Sequence, residues 1–382
     1  MSTIKFTTIA FGYEVRVWGT GALRVDGKEY DHLSPDVPVV FSRANTILPK
    51  PNITTELTGN ITRFASNKGL KELVISKDSE LEYIDLQYSS FLDINSTLHS
   101  LDVSGLSKLK TVRCTTTSNS GLFEHGLKSL NVNGCSSLET LYCSNNSLTN
   151  LDVSGLAGLK TLDCSKNRLK ELKMNGCISL EVLNCSQNQL KSLDLIRLSA
   201  LTIKPRNLNG KLRPSLKDFG IIKNPHFAVG HGSLADVYIF PRKGRSVLKN
   251  LNCSNNLFET LDISSCLYLE TLNCKNNTFK TLELKSASLR EIICGNNSLE
   301  IVNLLGCIKL EKITYYLFNQ TAVDLSAHDQ FKYLKCVGSP PYLNISGCSL
   351  LEIIQFTPPY SRDDEIETTG CVSLKEISYS KL

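Results

Sequence analysis

Apolar residues recur along this chain at a spacing of 20 or 21 positions over most of its length. One copy of the pattern starts at Leu138, and the same positions return at Leu159 and Leu180. The unit reads LxxLxCxxNxLxxLDVSGC/L. Its LxC and LDV segments alternate apolar and polar residues, which is the period of a β-strand. Each repeat is therefore predicted to supply one strand to a main sheet and a shorter strand to the opposite face.

The Cys position of the unit can be followed through most of the chain. It is occupied by Ala65, Leu86, Cys114, Cys143, Cys164, Cys185, Ile203, Ile221, Cys253, Cys274, Cys294, Tyr315, Cys336, Phe356 and Tyr379. No single repeat can close a core, but stacked repeats form a continuous one. The prediction is a right-handed, horseshoe-shaped β-rich solenoid of about 14–15 turns over residues 60–382, with a parallel concave sheet.

Two polar residue types recur inside this apolar pattern. The Asn of the CxxN segment returns at Asn146, Asn167, Asn188, Asn256, Asn277 and Asn297. A buried amide needs hydrogen-bond partners, and stacked turns can supply backbone groups. The fourteen cysteines all fall on repeat positions. Stacked parallel side chains make poor disulfides, and no CxxC pair or suitably spaced His suggests zinc. We expect buried free thiols, no metal and no cofactor.

With these motifs the chain resembles bacterial extracellular leucine-rich-repeat proteins, broadly internalin-like, in the subgroup whose repeats read LDVSxNxxLxxLDCSxNxL. The resemblance covers about residues 60–382. It implies a leucine-rich-repeat horseshoe, an exported or surface location, and protein- or glycan-binding roles. The chain departs from the family in having no recognisable signal sequence and no wall-sorting motif.

Residues 1–59 do not fit the repeat and are predicted to form a small β-rich cap. Strands at 14–18 and 22–25 flank Gly19-Thr20-Gly21, which reads as a hairpin, and 37–41 is a further strand. No convincing helix follows Gly19-x-Gly21, so a dinucleotide-binding loop is a weak interpretation.

Residues 204–247 are predicted to be an insertion, and the net positive charge of the chain comes from this segment. The segment has nine Lys or Arg residues against two Asp, whereas the whole chain is only +5. One interpretation is a basic loop that binds an anionic partner, such as an acidic glycan, phospholipid head groups or nucleic acid, through Lys211, Arg213, Arg242, Lys243 and Arg245. The other is a solvated insertion without a function.

The same segment contains His226, His231, Ser233 and Asp236, which invite comparison with a hydrolytic triad. Triads are recognised by geometry, and a short loop without a nucleophile elbow does not predict one. We expect no catalytic residues, and a hydrolase in the insertion is the weakest of the functional hypotheses.

The concave face supplies the other candidate site. Its middle repeats expose short polar residues such as Thr140, Tyr142, Asp163, Asn252 and Asn273. This surface suits a glycan or a hydrated protein interface, and the alternative is that it is only a soluble β face. Later turns place aromatic and cationic side chains outward, which interface hot spots favour. These candidates are Lys312, Thr314, Tyr316, Tyr333 and Lys335. The alternative is that they only cover a fraying end. The last strand ends without a cap at residues 379–382, which predicts that the native chain continues, that it self-associates through the exposed strand edge, or that its last turn is frayed.

Composition excludes a membrane-spanning or disordered chain, because no apolar run approaches 18 residues and 41% of residues are hydrophobic. The leading hypothesis is a non-catalytic recognition or adhesion protein, extracellular or at the cell surface, with a protein or glycan ligand and no nucleic acid. The alternative is an intracellular or secreted effector scaffold, with a cytoplasmic location left open. The final three residues, Ser380-Lys381-Leu382, match a peroxisomal targeting signal, but a match of only three residues is weak evidence.

Overall fold

The computed structural model describes residues 1–8, 14–42, 54–66, 70–86, 98–116, 126–195, 198, 246–299, 301–304, 306–316, 323–326, 328–337, 342–357 and 365–379. These residues contain β-strands and no α-helix. The strands are β1 (Ser2–Thr8), β2 (Glu14–Val25), β3 (Lys28–Leu33), β4 (Val39–Ser42), β5 (Thr54–Ser66), β6 (Leu70–Ile75), β7 (Tyr83–Leu86), β8 (Ser100–Asp102), β9 (Thr111–Arg113), β10 (Ser129–Asn131), β11 (Thr140–Tyr142), β12 (Asn150–Asp152), β13 (Thr161–Asp163), β14 (Glu171–Lys173), β15 (Val182–Asn184), β16 (Asn250–Asn252), β17 (Thr271–Asn273), β18 (Thr281–Glu283), β19 (Glu291–Ile293), β20 (Ile301–Asn303), β21 (Lys312–Tyr316), β22 (Val323–Asp324), β23 (Tyr333–Val337), β24 (Tyr342–Asn344), β25 (Ile353–Thr357), β26 (Glu365–Glu367) and β27 (Glu376–Tyr379).

The predicted parallel β-solenoid is confirmed. A main sheet stacks β5, β7, β9, β11, β13, β15, β16, β17, β19, β21, β23, β25 and β27 in parallel. The opposite face carries shorter parallel groups, which are β8–β10, β12–β14, β18–β20 and β22–β24–β26. Between the two faces the central Leu of each main strand lies over its equivalent in the next turn; Leu162 and Leu183, for example, are partners and are at most 1% exposed.

At the N-terminus β5 links the cap to the solenoid, because it pairs antiparallel with β1 and β2 and parallel with β7. The hairpin predicted around Gly19-Thr20-Gly21 is wrong. A single strand, β2, continues through these residues, and the hairpin turn to β3 lies at Asp26 and Gly27, both at positive φ. Gly19 is required for a different reason: a Cβ there would lie 2.0 Å from the Asn60 carbonyl oxygen.

Each repeat Asn joins two turns, as predicted. In Asn167 the side-chain Nδ2 donates to the carbonyl oxygens of Cys143 in the preceding turn (3.0 Å) and Cys164 in its own turn (3.1 Å). Its Oδ1 accepts from the backbone N–H of Leu148 at 3.0 Å. The residue before it, Lys166, adopts φ of 53°, which turns the Asn inward. The amide therefore satisfies backbone groups that a buried turn would otherwise leave unpaired.

The turns predicted at Ile203 and Ile221 fall on residues that lie outside the described ranges. Among the described strands, β15 pairs directly with β16. Asn256 likewise donates to the Cys185 carbonyl oxygen at 3.0 Å. Leu248 is fully buried and occupies the leading apolar position of the turn that follows Leu180. The regular spacing of 21 residues from Leu180 would have assigned that position to Leu201. The main stack accordingly has thirteen described strands instead of the 14–15 predicted turns.

A row of alternating charges follows the same register. The residue after the leading apolar position of each turn is Glu82, Lys110, Glu139, Lys160, Glu181, Lys249, Glu270, Arg290, Glu311, Lys332, Glu352 and Lys375. Neighbours form ion pairs, including Lys160–Glu139 at 2.8 Å and Lys249–Glu181 at 2.7 Å. Lys249, which follows Leu248, continues the alternation of charge, whereas the uncharged Thr202, which follows Leu201, would interrupt it. This signal was available in the sequence and locates the insertion.

All fourteen cysteines are free thiols, thirteen of them buried, which confirms their predicted place in the core. On the main strands burial raises the pKa of Cys114, Cys185, Cys274 and Cys336 to about 12. In the turns after the second-face strands, the thiol donates to a carbonyl of the preceding turn, as Cys177 does to Val153 O at 3.1 Å. The histidine His328 takes this place in one turn, with Nε2 2.9 Å from the Leu304 carbonyl oxygen.

We predict that Asn256→Ala lowers the free energy of unfolding by roughly 2–4 kcal/mol, because it leaves the Cys185 and Cys253 carbonyls and the Leu190 N–H without their side-chain partner. Urea denaturation measures the change. The matched control is the exposed Asn150→Ala, for which we expect less than about 0.5 kcal/mol. Equal losses in the two variants would contradict the bridging role.

We also predict that deleting residues 201–247, so that Ala200 joins Leu248, leaves the array folded. Leu248 then follows Leu180 at the regular spacing. Loop length changes stability only slowly, so the free energy of unfolding should shift by no more than about 2 kcal/mol. Deleting 201–250 removes the buried Leu248 as well and should disrupt the array. Circular dichroism and urea denaturation compare the two, and similar behaviour of both deletions would refute the register.

A third prediction concerns alkaline pH. Folded thiols such as Cys185 keep their protons up to a pKa of about 12, whereas unfolded thiols lose theirs near 9.0. The stabilisation is complete below pH 9 and is lost as pH rises, with a maximum slope of about 1.4 kcal/mol per pH unit for each thiol. Denaturation between pH 8 and 11 measures this fall, and Cys185→Ala should reduce the slope. A flat profile would show that the thiols are not shielded in the core.

Candidate functional site on the main-sheet face

The main strands turn side chains to solvent on both sides of the inward Leu. The first outward row from β11 to β17 is Thr140, Thr161, Val182, Asn250 and Thr271. The second row over the same strands is Tyr142, Asp163, Asn184, Asn252 and Asn273. At β19 the second row is occupied by the apolar Ile293, which separates this polar surface from the C-terminal turns.

The C-terminal turns bring two predicted site residues into contact. The Lys312 ammonium lies 5.7 Å from the centre of the Tyr333 ring and 3.1 Å from the Glu291 carboxylate. The Tyr333 hydroxyl donates to Gln355 Oε1 at 2.7 Å. These contacts hold an aromatic ring and a cation in fixed positions on the solvent face, an arrangement suited to binding a polar partner.

The remaining predicted residues divide into two sets. Thr314 and Lys335 are register partners in the second outward row, so they lie beside the Lys312–Tyr333 contact. Tyr316 pairs through its backbone with Val337, and its side chain is outside the described part of the chain. The basic candidates of the insertion also lie outside the described residues, so the anionic site stays a prediction. They are Lys211, Arg213, Arg242, Lys243 and Arg245.

A second polar cluster, near the N-terminal end of the face, was missed by sequence reasoning. The Tyr83 hydroxyl donates to Asp85 Oδ2 at 2.9 Å, and the Arg113 guanidinium lies 5.0 Å from the centre of the Tyr142 ring. Burial, and then the Asp85 carboxylate, raise the pKa of Tyr83. The repeats that contain Asp85 and Arg113 are separated by longer spacings, which hid the fact that both side chains lie in the row of Tyr142.

The middle of the second row has a regular local geometry. Asp163 Oδ1 accepts from the backbone N–H of Ser165 at 3.0 Å, and Asn184 Oδ1 accepts from that of Ser186 at 3.3 Å. Asn252 Oδ1 and Asn273 Oδ1 accept in the same way, two residues further along the chain. Such bonds fix the orientation of each planar side chain. The face can therefore bind through oriented hydrogen-bonding groups and two aromatic platforms.

The described part of the chain contains no cluster of three or more His, Cys, Asp or Glu side chains placed to hold a metal ion. The described residues also contain no helix that is long and apolar enough to cross a membrane.

Comparison with known proteins supports the repeat assignment. A family model described as leucine-rich repeats, in two copies, matches residues 136–176, which span β11 to β14. No curated protein sequence matches the chain. Among solved structures, the functional domain of InlJ from Listeria monocytogenes, described as including a cysteine ladder, is similar at 19% identity and a TM-score of 0.35, with 73% of this chain and 69% of that chain covered.

Two further structures are similar. A leucine-rich-repeat protein of Leptospira interrogans matches at 15% identity and a TM-score of 0.35, over 75% of this chain and 78% of that one. A complex of TLR13 with the RNA ssRNA13 matches at 18% identity and a TM-score of 0.41, over 78% of this chain and 39% of that one. The chain thus spans well under half of the TLR13 chain. At these identities the likeness concerns the fold alone.

Proposed function

We propose that this protein is a non-catalytic recognition or adhesion protein that binds a protein or glycan ligand on its main-sheet face. The leucine-rich-repeat fold is typical of recognition proteins. The observation that carries the proposal is the Lys312–Tyr333–Gln355 arrangement, in which a cation and an aromatic ring are held on a solvent-facing sheet by defined contacts.

Those contacts are unnecessary for the fold, which favours a role in binding. Lys312 and Tyr333 lie on the outward side of β21 and β23, whereas the core beneath them is closed by Ile313 and Leu334, each at most 2% exposed. An exposed cation–aromatic contact contributes only about 0.5–1 kcal/mol to stability. An aromatic anchor in a binding surface contributes considerably more to affinity.

The proposal includes an extracellular or cell-surface location, in a bacterium. Its support is the resemblance of the repeat to bacterial extracellular leucine-rich-repeat proteins. Buried free thiols are compatible with such a location, because desolvation raises the pKa of Cys143 and Cys164 well above the ordinary value and keeps them in the unreactive protonated form.

The test is a binding screen against a glycan array and a panel of matrix proteins. We expect Lys312→Ala with Tyr333→Ala to weaken binding of the captured ligand at least about tenfold, while the free energy of unfolding stays within about 1 kcal/mol. Tyr268→Ala is the matched control, since Tyr268 is 51% exposed but lies in a turn outside the main sheet. A loss of affinity confined to the control variant would move the site off this face.

A third variant tests the basic insertion in the same screen. It replaces Lys211, Arg213, Arg242, Lys243 and Arg245 by Ser. Binding that falls in this variant and also falls steeply with added salt would assign the ligand to the insertion, because exposed charges are screened. Binding unchanged by both treatments supports the main-sheet face.

A further inference from the structure

The middle of the second outward row repeats one donor group in successive turns. In Asn184, Asn252 and Asn273 the Oδ1 atom is bonded to the backbone two residues further on, and Nδ2 has no partner among the described residues. The three residues are register partners, so their amides follow one another at the spacing of parallel strands, about 4.8 Å. The result is a row of oriented N–H donors facing solvent.

The ends and flanks of this row complete a binding surface. Asp163 precedes the three asparagines, with Oδ1 anchored in the same way, and its other oxygen supplies an acceptor. Before it stands the ring of Tyr142, held beneath the Arg113 guanidinium. The parallel first row adds Thr161 and Thr271, and Ile293 ends the polar strip after β17. The strip is therefore five strands long, from Tyr142 to Asn273.

The charge of the two outward rows and the spacing of the amide donors limit the class of ligand that can bind. Neither outward row contains Lys or Arg from β11 to β17, and Asp163 adds a negative charge, so a polyanion is disfavoured. An extended peptide laid across the strands would advance about 3.3 Å per residue and fall out of step with donors about 4.8 Å apart. An extended β-linked polysaccharide advances by nearly one strand spacing per sugar and presents hydroxyl and ring oxygens to each donor.

We infer that this strip binds a neutral, linear β-linked polysaccharide, which lies along the solenoid axis with one sugar to each turn and its end beside Tyr142 and Arg113. This rests on the proposed recognition function and assigns a ligand class to a part of the same face distinct from Lys312 and Tyr333. The donors are already oriented in the free protein, so binding requires little side-chain ordering.

The experiment uses a double variant, Asn184→Asp with Asn252→Asp. Aspartate keeps the Oδ1 anchor, as Asp163 shows in the same row, but replaces each donor by an acceptor. The control is Asn344→Asp, where Oδ1 has the same bond, to the backbone N–H of Ser346 at 3.0 Å, on the opposite face of the solenoid. The full chain is titrated calorimetrically with β-1,4-linked gluco- and N-acetylglucosamine oligosaccharides of two to eight units.

We expect affinity to rise with chain length up to about five sugars and then level off. The double variant should bind at least about tenfold more weakly, because it loses two hydrogen bonds and adds acceptor–acceptor repulsion, while the control variant binds like the wild type. Both variants place a new carboxylate beside existing ones, Asp163 for Asn184→Asp and Asp324 with Glu367 for Asn344→Asp, so we expect lower urea midpoints than in the wild type, and binding is compared under conditions in which all three proteins are fully folded.

Several results would overturn the inference: no binding by any neutral oligosaccharide, an affinity independent of length, or an unchanged affinity in the double variant. A failure of the polysaccharide inference can be distinguished from a failure of the proposed recognition function. A ligand from the broader screen that is lost on Tyr333→Ala but retained by the double variant refutes the polysaccharide strip and leaves recognition by the C-terminal turns standing.

Discussion

A buried amide that joins two turns is the interaction on which this solenoid depends. Every turn of a stacked array must bury backbone carbonyl and N–H groups where the chain bends between its two faces, and those groups cost free energy when unpaired. The repeat Asn satisfies both kinds at once: Asn188 donates to the Cys164 and Cys185 carbonyls, and its Oδ1 accepts from Leu169 N–H. Since the Cys164 carbonyl and the Leu169 N–H belong to the preceding turn, the same side chain that closes one turn fixes the position of the next.

This dependence explains how the array continues across the insertion. Asn256 bonds to the Cys185 carbonyl and the Leu190 N–H, although Leu190 lies 66 positions before it in the chain. These are the equivalents of the bonds that Asn188 makes to Cys164 and Leu169. A segment of any length can leave a turn and return to it, provided that the next Leu, Cys and Asn arrive in register. Apolar spacing alone made Leu201 and Leu248 equivalent starts of a turn, so the sequence prediction counted too many turns. The alternating charge row distinguishes them, because Lys249 and not Thr202 follows Glu181.

The predictable part of the fold is the part that repeats. Main strands, second-face strands, Asn bridges and buried cysteines follow from spacing, since each residue has the same neighbours in every turn. The N-terminal cap does not repeat, and there Gly19 was taken for a turn residue when its role is a close approach to the Asn60 carbonyl. His328 illustrates the intermediate case: its position in the turn follows from the repeat spacing, but its contact with the Leu304 carbonyl, where other turns have a cysteine thiol, follows only from the three-dimensional packing of the turns.

The same periodicity limits what the sequence indicates about function. The inward rows are constrained by stacking, and neighbouring turns impose the same residue types on them. The outward rows are constrained only by exposure to solvent, so they vary along the face from Arg113 and Tyr142 through the asparagines to Ile293 and then Lys312 and Tyr333. Sequence reasoning found the C-terminal pair because large aromatic and cationic residues stand out there. It placed polar residues of the middle turns on this face, Asn252 and Asn273 among them, without recognising a row; only the common anchoring and register of Asn184, Asn252 and Asn273 make them a continuous set of donors. A binding property of a solenoid therefore belongs to a row across turns, and it becomes visible once the register of those turns is known.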